Sequence, residues 1–247
     1  MSFLMVLYRI YQALIAVPLL LVVTIIAAVL TAFGSMLGFS RTMGYWPGCI
    51  WARIFCWLTF VRVKVSGRDN ISRRTSYVFV ANHQGAYDIF AIYGYLGHNF
   101  RWMMKKGLGS IPLVGWACRV SGHIYVDNSS PKAVRETMAT AEKRLAGGMS
   151  VVVFPEGART LDGRMHAFRR GAYALAMEFG LPVVPITIDG AYKVMPRSAV
   201  LPRPGVIRLT VHAPICAPES GRHELASLMK QSYDAIASAL PEEKDVK

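Results

Sequence analysis

Two residues of this chain have the types and the spacing to move a proton. In SYVFVANHQGAYD (76–88) an apolar run stops at Asn82, His83 follows, and Asp88 comes five residues later. The run is bounded by polar residues and Gly85, which suits a buried strand of an α/β sheet. Open α/β sheets bind ligands in the loops beyond the carboxyl ends of their strands, so His83 stands where an imidazole is useful. Gly85 permits a turn, and Asp88 then falls in the first turn of a helix begun by Ile89, Phe90 and Ile92. If the turn folds back, the carboxylate accepts from one ring nitrogen and leaves the other as a base for a hydroxyl proton. Asp88 is also explained as a helix cap or as a charge favoured by the helix dipole. Alone, the spacing is a weak signal.

A second cluster strengthens it. FPEGART (154–160) leaves an apolar run and turns at Pro155 and Gly157, with Arg164, Arg169 and Arg170 close behind. Gly157 lets backbone N–H groups approach a ligand, as a phosphate or oxyanion site requires. Arg159 offers a planar fork for phosphate oxygens. Glu156 has the chemistry to accept from substrate hydroxyls or to hold a neighbouring arginine. A polar turn is commonly just solvated, and a membrane-facing patch explains Arg164, Arg169 and Arg170 as well as an active-site role does.

The elements that must position these residues alternate. Strands are expected over 61–66, 77–80, 99–105, 123–127, 150–154, 182–188 and 206–212, and helices over 87–96, 131–146, 171–179 and 223–240. Pro131 opens the second of these helices and Gly147–Gly148 close it. The loop after the third strand holds Gly107, Gly109, Pro112 and Gly115. Strands alternating with helices predict an α/β fold, a mixed and largely parallel sheet of about seven strands flanked by helices.

Residues 1–60 read differently. Between Ile10 and Ser40 no residue is charged, and ALIAVPLLLVVTIIAAVLTAF exceeds the roughly 20 residues that cross a bilayer. Pro18 is expected to kink it. MGYWPGCIWARIFCWLTFV (43–61) is a second apolar stretch whose tryptophans suit the membrane interface. The two read as a helical pair anchoring the chain, the second at or near the surface; one true span followed by an ordinary core helix is the alternative. The expected division is an anchor over 1–60 and a catalytic domain over 61–247. The apolar stretch is too long for a cleaved signal peptide, and only Arg9 precedes it.

The net charge of +13 then points to anionic lipid head groups before nucleic acid, since the basic residues are scattered and carry no nucleic-acid motif. Arg53, Arg62, Lys64, Arg68, Arg73 and Arg74 gather after the anchor, which places the domain on the cytoplasmic face of the inner membrane. Cys49, Cys56, Cys118 and Cys216 form no CxxC pair and no metal spacing, as free thiols in a reducing compartment would. The remaining histidines, His98, His123, His166, His212 and His223, share no metal spacing and read as core or surface residues.

Together, NHQGAYD and FPEGART resemble the 1-acylglycerol-3-phosphate acyltransferase family, the glycerolipid acyltransferases, in its membrane-anchored bacterial form. His83 and Asp88 match its His-x4-Asp block. KKGLGSIPLVG (105–115) looks like its second block, FPEGART with FRRG (168–171) like its third, and LPVVPITI (181–188) like its apolar fourth. Three positions depart from the pattern. Ala158 stands where a hydroxyl residue is usual, Gly107 where a glutamate is common, and Asn128 where an arginine is usual.

The resemblance implies transfer of a fatty acyl group from acyl-CoA or acyl-carrier protein to the sn-2 hydroxyl of 1-acylglycerol 3-phosphate, giving phosphatidic acid for phospholipid synthesis. It implies no metal and no cofactor beyond the acyl donor. His83 would be the general base and Asp88 its orienting partner. Arg159, Lys105 and Arg164 would hold the phosphate, Glu156 would position substrate, and N–H groups around Gly157 would steady the oxyanion. No Gly-x-Ser-x-Gly elbow is present, which favours direct transfer over an acyl-enzyme. Two rivals stay open: the same chemistry on another acceptor such as a lyso-ornithine lipid, and a non-enzymatic membrane protein that binds anionic lipid.

Overall fold

The computed structural model describes residues 3–127, 129–218 and 221–241. Its strands are β1 (Val61–Ser66), β2 (Val78–Ala81), β3 (Phe100–Lys105), β4 (Ile124–Val126), β5 (Ser150–Val153), β6 (Val183–Asp189) and β7 (Gly205–Val211). They form one seven-stranded sheet in the order β1-β7-β6-β2-β5-β3-β4. All neighbours run parallel except β6 and β7, so β1 and β7 are reversed relative to the rest. Each of the seven expected strands, and each of the four helices expected beyond residue 60, is found to within two residues.

The helices are α1 (Phe3–Met43), α2 (Trp46–Leu58), α3 (Tyr87–Tyr95), α4 (Val114–Val120), α5 (Pro131–Ala146), α6 (Gly171–Glu178), α7 (Ala191–Val194) and α8 (Arg222–Ser238). They cover both faces of the sheet, which explains why β2 is buried at every residue. On one face Phe79, Ala81, Val152 and Ile186 pack against Ile92 of α3 and against Cys49, Ala52 and Cys56 of α2. On the other, Val78, Val80 and Val151 meet Ala141 of α5, Tyr173 of α6 and Leu228 of α8. The second apolar stretch is thus a core helix along one side.

α4 was not expected from the sequence. Gly115 and Pro112 read as breakers, and seven residues are too few to be stable alone. The helix forms because Ala117 packs against Ala28 and Ala32 of α1, a contact between residues some ninety positions apart that no local pattern shows.

α1 is the described helix long and apolar enough to cross a membrane. It widens by one residue per turn over Gln12–Ala16, just before Pro18, whose ring cannot supply an amide donor. The helix lies along the body. Arg9 and Gln12 donate to Pro202 O, Tyr11 to Leu58 O, and Trp51 Nε1 to Thr24 Oγ1 at 2.9 Å. At the far end, the buried Arg101 donates to Ser40 O at 2.6 Å. Its other side is bare, with Leu4, Leu14 and Leu37 exposed.

At the end of β2 a side chain takes over from the backbone ladder. Asn82 donates through Nδ2 to Ile188 O at 2.9 Å and accepts from Ile188 N at 2.7 Å, all of it buried. Asn82→Leu should cost about 3 kcal/mol, because two buried backbone groups of β6 lose their partner. Urea unfolding in neutral detergent measures it; a variant as stable as the parent would show that the clamp carries no weight.

Candidate active site

His83 follows Asn82 directly and leaves the sheet on a turn that ends in the first turn of α3. One carboxylate oxygen of Asp88 closes that turn, accepting from Gly85 N at 2.8 Å and pairing with His83 Nδ1 at 2.8 Å. Asp88 is fully buried. Burial raises its pKa above the ordinary carboxyl value, opposed by the bonds from His83 and Gly85. With Nδ1–H committed to the carboxylate, Nε2 is the free nitrogen, and it makes no bond among the described residues. The ring is 14 % exposed, enough to reach a ligand.

The second cluster wraps the first. Thr160 N donates to His83 O at 2.9 Å, and His83 N donates to Glu156 Oε1 at 2.7 Å, so FPEGART grips the His83 peptide from both sides. Phe154 lies flat on the imidazole, with ring centroids 3.9 Å apart at 9°, and Trp102 stacks on the far side of Phe154. The two motifs form one unit.

Arg159 sits beside Thr160, half-buried, with no ion pair or hydrogen bond among the described residues. A half-buried guanidinium without a counter-ion is a ready anion site. Lys105 is exposed at the end of β3. Phe79, Val152 and Trp102 are in register, so three residues further on Lys105 stands level with Asn82, two strands away. That separation is about 10 Å of sheet. Arg164 lies on the exposed loop after Thr160, its backbone N bonded to Asp162 Oδ1 at 3.0 Å.

Two of the expected site residues are engaged within the fold. Glu156, expected to position substrate, is buried, and both its oxygens already accept backbone amides, from His83 N and from His166 N at 3.0 Å. It holds the scaffold. N–H groups around Gly157 were expected to steady an oxyanion; the N–H of Gly157 itself donates to Phe154 O at 3.0 Å within the turn. Its part is conformational: φ is +75°, and a Cβ there would come within 2.9 Å of the Arg169 guanidinium. Spacing shows that a glycine turns the chain but not where its N–H points. Asn128 lies outside the described residues.

The sequence carried signals for Asn82 and Phe154, both inside the motifs, without showing what they do. His123 is a core residue as expected. It accepts from Trp102 N at 3.1 Å, and burial pushes its pKa down to about 3.

A family model described as Acyltransferase matches residues 62–189, the stretch that carries both motifs. The chain belongs to this acyltransferase family. Among its relatives, a chloroplastic 1-acyl-sn-glycerol-3-phosphate acyltransferase of Arabidopsis thaliana is 34 % identical over 72 % of this chain and 50 % of the relative. This chain therefore spans half the length of that relative. A relative of the same enzyme name from Chlamydomonas reinhardtii is 31 % identical over 94 % of this chain and 68 % of its own. One from Pseudomonas aeruginosa is 30 % identical, covering 78 % and 76 %. The crystal structure of the 1-acyl-sn-glycerophosphate (LPA) acyltransferase PlsC from Thermotoga maritima matches with TM-score 0.77 at 26 % identity, over 94 % of this chain and 93 % of that one. The fold described above, a mixed and mostly parallel sheet flanked by helices, is thus shared with that acyltransferase.

Burial of Asp88 has a pH signature. A carboxyl whose folded pKa is raised binds its proton at pH values where the unfolded chain has released it. Its contribution to stability is therefore greatest at low pH and is lost as pH rises through the folded pKa. His123, pushed the other way, contributes stability that is present above its unfolded pKa and is lost as pH falls from there through the folded pKa of about 3. Comparing Asp88→Asn with the parent isolates the carboxyl. The parent's urea midpoint should gain on the variant's as pH falls toward the ordinary carboxyl range; a constant difference across pH would contradict the assignment.

Proposed function

We propose that this chain transfers an acyl group from a thioester, acyl-CoA or acyl-carrier protein, to the sn-2 hydroxyl of 1-acylglycerol 3-phosphate, making phosphatidic acid. The observation that carries the reading is the imidazole of His83, oriented through Nδ1 by a buried carboxylate, with Nε2 unbonded among the described residues. Arg159, without a counter-ion among them, lies on the loop whose Thr160 N–H holds the His83 carbonyl. Nε2 takes the proton of the acceptor hydroxyl as its oxygen attacks the thioester carbonyl. The new C–O bond forms, the tetrahedral adduct collapses with cleavage of the C–S bond, and the imidazolium returns the proton to the departing thiolate. Arg159 holds the acceptor's phosphate, with Lys105 further along the sheet edge. The chain's own residues supply every proton step, without a metal or cofactor.

The anchor serves this chemistry by lying in the membrane surface. α1 is bonded to the body near both ends, at Pro202 and at Arg101, so its bare side and the body move together. Pressing Leu4, Leu14 and Leu37 into the acyl layer sets the site at the depth where a lysophospholipid resides. The basic residues after the anchor favour the cytoplasmic leaflet of the inner membrane, where the acyl donors are found. A fluorophore on a single cysteine replacing Leu4, Leu14 or Leu37, each in an otherwise cysteine-free chain in vesicles, should be quenched at one shared shallow depth by lipids carrying nitroxides along their chains. A steady change of depth from Leu4 through Leu14 to Leu37 would mean that α1 spans.

His83→Ala should lose at least about a hundredfold in kcat, as removal of a general base does. Arg159→Gln should raise KM for 1-acylglycerol 3-phosphate about tenfold, the loss of one charge-assisted contact. Thiol release from acyl-CoA, and separately from acyl-carrier protein, reads both. A His83→Ala protein turning over at the parent rate ends this reading.

A further inference from the structure

A cavity of about 510 Å³ lies between the start of α1 and the loop that leaves β6, away from the His83 imidazole but braced against its turn. Arg9, Lys193 and Arg203 line it, and among the described residues no carboxylate does. Lys193 and Arg203 are exposed and make no side-chain hydrogen bond or ion pair among the described residues. Arg9 donates only through Nη1, to Gln12 Oε1 and Pro202 O, and is held in place without being neutralised. Three cations converging on one hollow without a counter-ion repel each other, a cost that an anion removes.

The rest of the lining says which anion. Val200, 87 % exposed, and Leu201 belong to the lining, and the first turns of α1 bare Phe3, Leu4, Leu7 and Ile10 on the side of the helix away from Arg9. A soluble ion has no use for apolar surroundings of this kind; an amphiphile with a charged head does. We propose that this cavity binds the phosphate of an anionic glycerophospholipid, with Arg9, Lys193 and Arg203 as cationic ligands and Val200 and Leu201 against its chains. This rests on the membrane-seated reading of α1.

The loop beneath the cavity is braced on the catalytic turns. Tyr192 donates to Leu161 O at 2.9 Å, just past the Thr160 that bonds His83. A Cβ on Gly85, between His83 and Asp88, would meet Met195 O at 2.6 Å and Ala191 O at 2.9 Å. A lipid clamped between Arg9 and Lys193 therefore ties the anchor helix to the loop that backs the His83 turn.

The test is thermal unfolding of the full chain in neutral detergent micelles doped with dioleoylphosphatidylglycerol. The midpoint should rise saturably with its mole fraction and stay flat with dioleoylphosphatidylcholine. Lys193→Ala/Arg203→Ala should weaken the apparent affinity roughly thirtyfold, the effect of removing two cations from an anionic head group. The proposal is overturned by an equal response in the double variant or by an equal response to the zwitterionic lipid. It is also overturned if inorganic phosphate or free coenzyme A gives the same Lys193- and Arg203-dependent shift. His83→Ala should keep the full shift, so a failure here is distinguishable from a failure of the acyl-transfer reading.

Discussion

A carboxylate cut off from water fixes the direction of His83, and most of the molecule is arranged to keep it so. Asp88 accepts both the amide that closes the Gly85 turn and the imidazole N–H, so one oxygen fixes backbone and side chain together. Taking that charge out of water is costly, and the two bonds offset only part of the cost. The expense is borne because an imidazole free to rotate would present either nitrogen. Phe154, flat against the ring, removes the remaining freedom.

The sheet makes this arrangement possible. β2 and β5 are adjacent and parallel, so their carboxyl ends open on the same edge, and the loop after β5 can close over the residue after β2. Glu156 and Thr160 then hold the two polar groups of the His83 peptide. On the outer side, Arg101 performs a similar task for α1. The residue is 2 % exposed, and its guanidinium is satisfied by Ser121 O, Phe100 O, Ser40 O and Asn99 Oδ1. Burial lowers its pKa to about 10, still well above neutral, so the end of α1 remains tied to the sheet by a charged group. The His83 turn and the N-terminal helix are thereby tied to the same sheet.

Much of this was legible before any coordinates. The apolar run before His83, the glycine that turns it and the five-residue step to Asp88 depend on local geometry, which sequence records. The elements were legible for the same reason, since each repeats a period of hydrophobicity. What stayed hidden depends on contacts between distant residues. α4 exists because Ala117 meets Ala28 and Ala32. Glu156 looked available to substrate because nothing in FPEGART shows that its oxygens face two backbone amides. The Gly157 N–H looked free because its partner, Phe154 O, is fixed by the turn and not by composition.

The central claim is the tautomer of one ring, and nitrogen chemical shifts read it directly. In the full chain labelled with ¹⁵N-histidine in neutral micelles, with the His83 signals assigned by their loss in His83→Gln, the account predicts a protonated Nδ1 and an unprotonated Nε2 near neutral pH. In Asp88→Asn that preference should weaken or disappear. A proton on Nε2 in the parent at the pH of maximal activity, whether as the other tautomer or as imidazolium, would contradict it.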